Sequence, residues 1–259
     1  MCLILFAWSA HPRYRLVLAA NRDEFHDRPA APAGFWPDRP AILAGRDLEA
    51  GGSWLGVTRD GRFAAVTNYR EAARPADAGG RSRGLLVNNW LDGGGEPLGV
   101  ARSLAEAGSE YRGFNLLLGE PGELVYLSNR GAGPQRVAHG VHGLSNHLLD
   151  TDWPKVRAGR ERLATLLERE TVEAEALFTL LGDGAPVDGV LPGGAAARLA
   201  PENLARQLFI RSPVYGTRCS TVLLLDHDGG VRFEERRFDA AGEPAGSARF
   251  EFDLDPAVF

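Results

Sequence analysis

The chain has 259 residues, 44% of them hydrophobic and 24% charged, with a formal net charge of −5. That length supports one large core of an ordinary globular protein, and the acidic balance argues against a nucleic-acid binder, which would carry a basic stripe. No apolar run reaches the ~20 residues that span a bilayer, and with only Cys2 and Cys219 no disulfide framework is expected, so the chain reads as cytoplasmic with reduced thiols.

Residues 2–8 and 14–21 are apolar runs joined by a turn containing Pro12. Both are apolar at adjacent as well as alternate positions, which predicts strands buried on two faces. Residues 25–48 are rich in Pro, Asp and Arg and read as a long loop. Residues 53–59 and 62–68 flank Asp60-Gly61, a pair that tolerates positive φ and predicts a tight hairpin. Ser82 is placed to cap a helix carrying Leu85, Leu86, Asn89 and Trp90, which Gly93-Gly94-Gly95 ends. A short helix is expected over 97–107, and strands over 114–119 and 124–128, turned by Pro121-Gly122. Extended pieces follow at 135–138 and 141–144. Pro154 suits the first turn of a helix whose Val156, Leu163, Leu166 and Leu167 share a face. Val172, Ala176, Leu177, Leu180 and Leu181 repeat that pattern until Gly182, and residues 182–201 read as a loop. Strands are expected over 220–225, 231–238 and 248–252, the first two turning at Asp228-Gly229. Hairpins outnumber strand–helix–strand units, so the fold class is α+β, antiparallel sheets with helices packed outside, in a single domain over residues 1–259.

Cys2 directly follows Met1. Removal of the methionine would leave a thiol and a free α-amine on one residue. With a pKa near ~8 in model peptides, that amine can take the thiol proton, so one residue can serve as nucleophile and base. The competing reading is a buried cysteine opening an apolar strand. Other polar clusters bear on the choice. Asn21-Arg22-Asp23-Glu24 ends the second strand, where a hairpin would return it to Cys2. Asp23 could hold the amine there and Arg22 could favour thiolate, whereas a solvated turn of alternating charge suits Glu24 better. Asn68 and Asn146 each stand where a strand runs out, either as neutral donors to an oxyanion or as turn formers. Arg218, set between small residues in Gly216-Thr217-Arg218-Cys219-Ser220-Thr221, is either a buried arginine paired with a carboxylate or an exposed edge arginine.

Together these segments, from Cys2 through Ala20-Asn21-Arg22-Asp23-Glu24-Phe25, Thr67-Asn68-Tyr69-Arg70, Leu144-Ser145-Asn146 and Gly216-Thr217-Arg218-Cys219-Ser220-Thr221-Val222, resemble the NRDE family, also called the transport-and-Golgi-organisation protein two family. That family is similar to N-terminal-nucleophile (Ntn) hydrolases, which implies a four-layer αββα sandwich of two antiparallel sheets between helical layers. The related penicillin V acylase, bile-salt hydrolase and acid ceramidase group attacks amides with an N-terminal cysteine. The resemblance implies Asp23 against the amine, Asn146 on the oxyanion, Arg218 near the cysteine and Asn68 at the hairpin end. That group usually carries an arginine three residues before the aspartate; here Ala20 stands there and the arginine is Arg22, which strand alternation sends to the face opposite Asp23.

The implied function is hydrolysis of a non-peptide amide, or acyl transfer, through a Cys2 thioester, on a substrate with an apolar acyl part. The alternative is a non-enzymatic carrier of haem or acyl lipid on the same fold, since NRDE relatives in animals have been linked to both; a structural interaction protein is a third option. Haem would then be cargo, and no cofactor is expected. His139, His142 and His147, with His26 and Cys2 further off, lack a tight metal-binding spacing, so no metal site is expected.

Overall fold

The computed structural model describes residues 2–71, 80–188 and 206–255. The first two apolar runs fold as the expected hairpin, β1 (Cys2–Trp8) with β2 (Tyr14–Phe25). This hairpin is central to a six-stranded sheet. β10 (Gly140–Leu144) lies outside β1, and β11 (Tyr215–Asp226), β12 (Gly230–Phe238) and β13 (Pro244–Asp253) continue beyond β2. A second, seven-stranded sheet runs in chain order through β3 (Ala30–Trp36), β4 (Arg39–Asp47), β5 (Leu55–Thr58), β6 (Phe63–Asn68), β7 (Phe114–Glu120), β8 (Glu123–Ser128) and β9 (Gln135–Arg136). All strand pairs are antiparallel.

Three apolar layers set the stacking. Ile4, Phe6, Leu18 and Phe233 meet Leu43, Phe63 and Leu117 between the two sheets. On the other face of the first sheet, Leu3, Leu5, Val17 and Ala19 pack under α3 (Pro154–Leu166) and α4 (Ala174–Leu181). Ala64, Leu116 and Leu118 on the outer face of the second sheet take α1 (Gly84–Asp92) and α2 (Pro97–Glu106) through Leu86, Trp90 and Ala101. The result is the α+β, four-layer αββα sandwich. A strand apolar on adjacent residues is what such a layer requires, since β1 and β2 must satisfy the facing sheet and the helices at once. Among the described residues, no helix is long and apolar enough to cross a membrane.

Two local expectations differ, and a third falls largely outside the described residues. Residues 25–48 are not a loop but contain the β3–β4 hairpin. Its composition is explained by position: β3 is the edge strand of its sheet, and Pro32 falls in a register shift between Ala31 and Gly34, where a missing N–H breaks no regular ladder. The hydroxyl of Ser82 does not cap α1; the residue before the helix is Arg83, without a side-chain cap, and only the Ser82 carbonyl takes part, accepting from Leu85 N–H at 3.2 Å. Of the 182–201 segment, 189–201 lies outside the described residues, and 182–188 holds no strand and, past the end of α4, no helix.

β11 begins at Tyr215, five residues before the strand expected over 220–225, and pairs with β2 as far as Phe25. That extension lays residues 215–221 beside residues 20–25 and builds one wall of the site.

Candidate active site

Strand alternation divides the Asn21-Arg22-Asp23-Glu24 motif between two faces. Cys2 pairs across the ladder with Arg22, and Arg22 with Cys219, while Asn21 pairs with Ser220 and Asp23 with Thr217. Asn21 and Asp23 point to the helix layer. The Asn21 amide donates to the carbonyls of Leu181 and Leu208 at 3.0 and 2.8 Å and accepts from the Ser220 hydroxyl at 2.6 Å. Arg22 turns toward the second sheet, with its guanidinium carbon 4.3 Å from the centre of the Trp54 ring. It is therefore Arg22 that shares the Cys2 face, and Asp23 that takes the other.

The Cys2 carbonyl accepts from the Ser145 hydroxyl at 2.8 Å, a tie from the end of β10. Burial pushes the Cys2 thiol above its ordinary pKa; the Asp23 charge adds to this, while the Asp23 backbone N–H and the Arg22 charge work against it without offsetting it. Asp23 is buried, and its Oδ1 accepts from the Thr217 hydroxyl at 2.7 Å. Burial raises its pKa too, against the nearby positive charge of Lys155 and the Thr217 bond. Lys155, the second residue of α3, is 0% exposed. Burial lowers the pKa of its ammonium, and the charges of Asp23 and Cys2 act in the opposite sense. Sequence reading missed Lys155 and Ser145. A lysine in the first turn of an amphipathic helix reads as surface, and the one available signal was its place beside Trp153 and Pro154, where the helix enters the core.

Asn68, at the end of β6, lines the cleft described below. The Asn146 amide donates to the Asn68 carbonyl at 3.0 Å, and its Oδ1 lies 3.1 Å from the Ser145 hydroxyl. Asn146 is itself buried and supports Asn68 from behind. Arg218 goes elsewhere. The β2–β11 ladder shifts register between Thr217 and Cys219, so Arg218 is a bulged residue. Its Nη1 donates to the carbonyls of Phe25, His26 and Arg28 at 2.8, 2.9 and 3.3 Å. The expected arginine beside the cysteine is instead a clamp on the turn that leads out of β2, because a bulge re-aims the side chain.

Cys2 sits at the edge of a cleft of about 400 Å³ whose walls include Arg22, Trp54, Asn68, Arg83 and Arg112. Arg28, also on the wall, pairs with Asp47 at 2.8 Å and Glu49 at 3.3 Å. Arg81 pairs with Glu110 at 3.0 Å. Among the described residues, the Arg83 side chain makes one hydrogen bond, to the Gly113 carbonyl at 3.2 Å, and burial lowers its pKa. Cys219 lies behind Arg22, its thiol pushed well up by burial and by the carboxyl of Glu235. Two of the candidate histidines are fully engaged. His142 bonds Asp150 at 2.7 Å and the Ala138 carbonyl at 2.9 Å, and His147 bonds Tyr69 at 3.1 Å and Thr151 at 2.9 Å. Among the described residues, no group of three or more His, Cys, Asp or Glu side chains could hold a metal ion.

A family model described as Transport and Golgi organisation 2 matches residues 1–240. The chain is 37% identical over 257 residues to a Transport and Golgi organization protein 2 homolog of Bos taurus, covering 91% of this chain and 92% of that protein. It is 28% identical over 264 residues to the Drosophila melanogaster Transport and Golgi organization protein 2, with 91% of each covered. Among solved structures it is similar to a Caenorhabditis elegans N-acylethanolamine-hydrolyzing acid amidase ortholog, with a TM-score of 0.46, 11% identity, and 86% of this chain and 92% of that one covered. It is also similar to the C2A mutant of a conjugated bile acid hydrolase from Clostridium perfringens, with a TM-score of 0.45, 10% identity, and 98% and 97% covered.

Proposed function

The chain belongs to the Transport and Golgi organisation 2 family, and we propose that it is an amidohydrolase whose nucleophile is the thiol of an N-terminal Cys2 exposed by loss of Met1. One observation carries this reading: the Cys2 thiol lies on a cleft wall with the buried Asp23–Lys155 cluster across the same strand pair. In the proposed reaction the freed α-amine takes the thiol proton as sulfur attacks the amide carbonyl, forming the C–S bond. Asn68, held by Asn146, offers its side-chain amide to the developing oxyanion. Collapse breaks the C–N bond, the α-ammonium returns its proton to the leaving amine, and a thioester remains on Cys2. Water, deprotonated by the same amine, then attacks the thioester; the acid departs and the thiol is restored. Proton transfer accompanies attack in this sequence, so no standing thiolate is needed.

Asp23 holds the amine in place in this scheme, with Lys155 on its other side, and a small-molecule amide or acyl compound is the partner. The haem-carrier alternative draws no support from His142 or His147, whose ring nitrogens are already occupied. The test is intact mass for loss of Met1, then a panel of N-acyl amides and thioesters read for an acyl adduct at Cys2. The expected result is an adduct on the processed protein and a loss of turnover of about 10³-fold or more in Cys2→Ala. Undiminished turnover in Cys2→Ala, or turnover by protein that keeps Met1, would refute it.

A further inference from the structure

Five arginines line the cleft, and they differ in what they are bonded to. Arg28 is neutralised by Asp47 and Glu49, Arg81 by Glu110, and Arg112 is engaged as well. Arg22 is only 6% exposed, yet among the described residues its guanidinium donates no hydrogen bond and forms no ion pair; it lies over the face of Trp54, with the Glu235 carboxyl close enough to feel its charge. A guanidinium carries five N–H donors in a rigid fork, and burying it without acceptors is unfavourable unless something else supplies them. Glu235, on the same face and two strands away, does not come within ion-pair distance and takes the Ala33 N–H at 2.8 Å instead. Arg83 is in a similar condition, with one hydrogen bond, to a backbone carbonyl, and no carboxylate partner among the described residues. It also directly precedes α1, whose first residue, Gly84, is on the cleft wall and whose first turn holds no acidic side chain, so the positive end of the helix faces the same space.

We propose that the cleft beside Cys2 is selective for molecules bearing a compact oxyanion, a carboxylate or a phosphate, gripped by the guanidinium groups of Arg22 and Arg83. The Trp54 stack holds the Arg22 plane in one orientation, which suits a two-pronged grip on two oxygens better than a point charge would. Calling that molecule a substrate rests on the amidohydrolase reading; the binding preference does not. On that reading, the favoured compounds are N-acyl derivatives that carry an acid group near the scissile amide, and the apolar acyl part is not what selects them.

Iodoacetate and iodoacetamide test this directly, since they differ by a carboxylate against an amide and both alkylate sulfur by displacing iodide. The rate of each at Cys2 is read by peptide mass spectrometry on the full chain, folded and in urea. The ratio of iodoacetate to iodoacetamide rates at Cys2 is expected to be about tenfold higher in the folded protein, and to fall with added salt. Arg22→Met and Arg83→Met should each bring the ratio down toward the unfolded value. Should Arg22→Met fail to fold, Arg83→Met and the salt series decide. Slowing of iodoacetamide labelling by propionate points to a carboxylate ligand, and slowing by inorganic phosphate to a phosphate. A folded ratio equal to or below the unfolded one, or no labelling of Cys2 by either reagent, would overturn the proposal. A raised ratio without amide turnover leaves the oxyanion site standing and removes the enzyme; turnover with a flat ratio does the reverse.

Discussion

The two faces of the β2 end carry comparable numbers of polar groups and treat them in opposite ways. On the helix face, Asn21 bonds two carbonyls and a hydroxyl, and Asp23 bonds Thr217 beside Lys155. On the sheet-facing side, one residue further along the strand, the Arg22 side chain has an aromatic ring beneath it and, among the described residues, no hydrogen bond. The two environments arise from four consecutive residues because a strand alternates its side chains. Satisfied buried groups lock α4 and the segment around Leu208 onto the sheet; unmet donors open onto a cleft. The difference separates what holds the end of the sheet together from what is left for a ligand.

The largest effect is expected at Asn21. Asn21→Ala strips the partners from two buried carbonyls and from the Ser220 hydroxyl, and should lower unfolding free energy by about 3 kcal/mol in a denaturant titration. A loss below about 1 kcal/mol would mean that this face is not the structural one. Next comes the carboxylate pair. Asp23→Ala should slow acyl-adduct formation at Cys2 about 10²-fold, whereas Glu24→Ala, whose carboxylate accepts from the Phe25 N–H, should change it less than about threefold. Equal effects would place the amine away from the helix face. A smaller effect is expected at Arg22: Arg22→Met gives up a cation–π stack worth about 1 kcal/mol but also removes a buried, unbonded charge, so stability should stay within about 1 kcal/mol of wild type. A large loss of stability there would return Arg22 to the structural side.

The layered fold was legible wherever a continuous apolar run or a sharp turn signal marked a strand. β1 and β2 were marked by runs apolar on both faces, and β5–β6 by Asp60-Gly61. The β3–β4 hairpin was not, because an edge strand tolerates Pro32, and its composition imitates a loop. The chemistry-bearing residues were legible as types, but their directions were not. Arg218 is turned aside by a one-residue bulge, which no spacing in the sequence records. Lys155 escaped because helical periodicity assigns a lysine to water unless the tertiary structure covers it. Alternation alone set Arg22 and Asp23 on opposite faces, but only the β1–β2 register, which pairs Cys2 with Arg22, shows that Arg22 is the one on the Cys2 face.

A last and smaller effect tests whether pH acts on the fold away from both faces. His142 on β10 stacks on Phe6, with 5.2 Å between ring centres, and pairs with Asp150 at 2.7 Å. Burial opposes charging His142, but the Asp150 hydrogen bond, the Ala138 carbonyl and the Asp150 charge outweigh it, and its pKa is raised. Burial likewise works to raise Asp150, and the bonds from His142 and the Gly143 N–H outweigh it, leaving its pKa lowered. A raised histidine stabilises the fold fully below its unfolded value near ~6.5 and loses that contribution as pH rises through the folded value. A lowered aspartate stabilises above ~3.8 and loses its contribution as pH falls through its folded value. The pair therefore contributes most between about pH 4 and 6.5, by about 1 kcal/mol after allowing for its partial exposure. Asp150→Asn suits the comparison because residue 150 has φ 58°, which asparagine adopts readily. Melting temperatures of the two proteins should diverge most below pH 6.5 and converge as pH rises through the raised histidine value. Parallel curves across that window would show that the ion pair carries no stability.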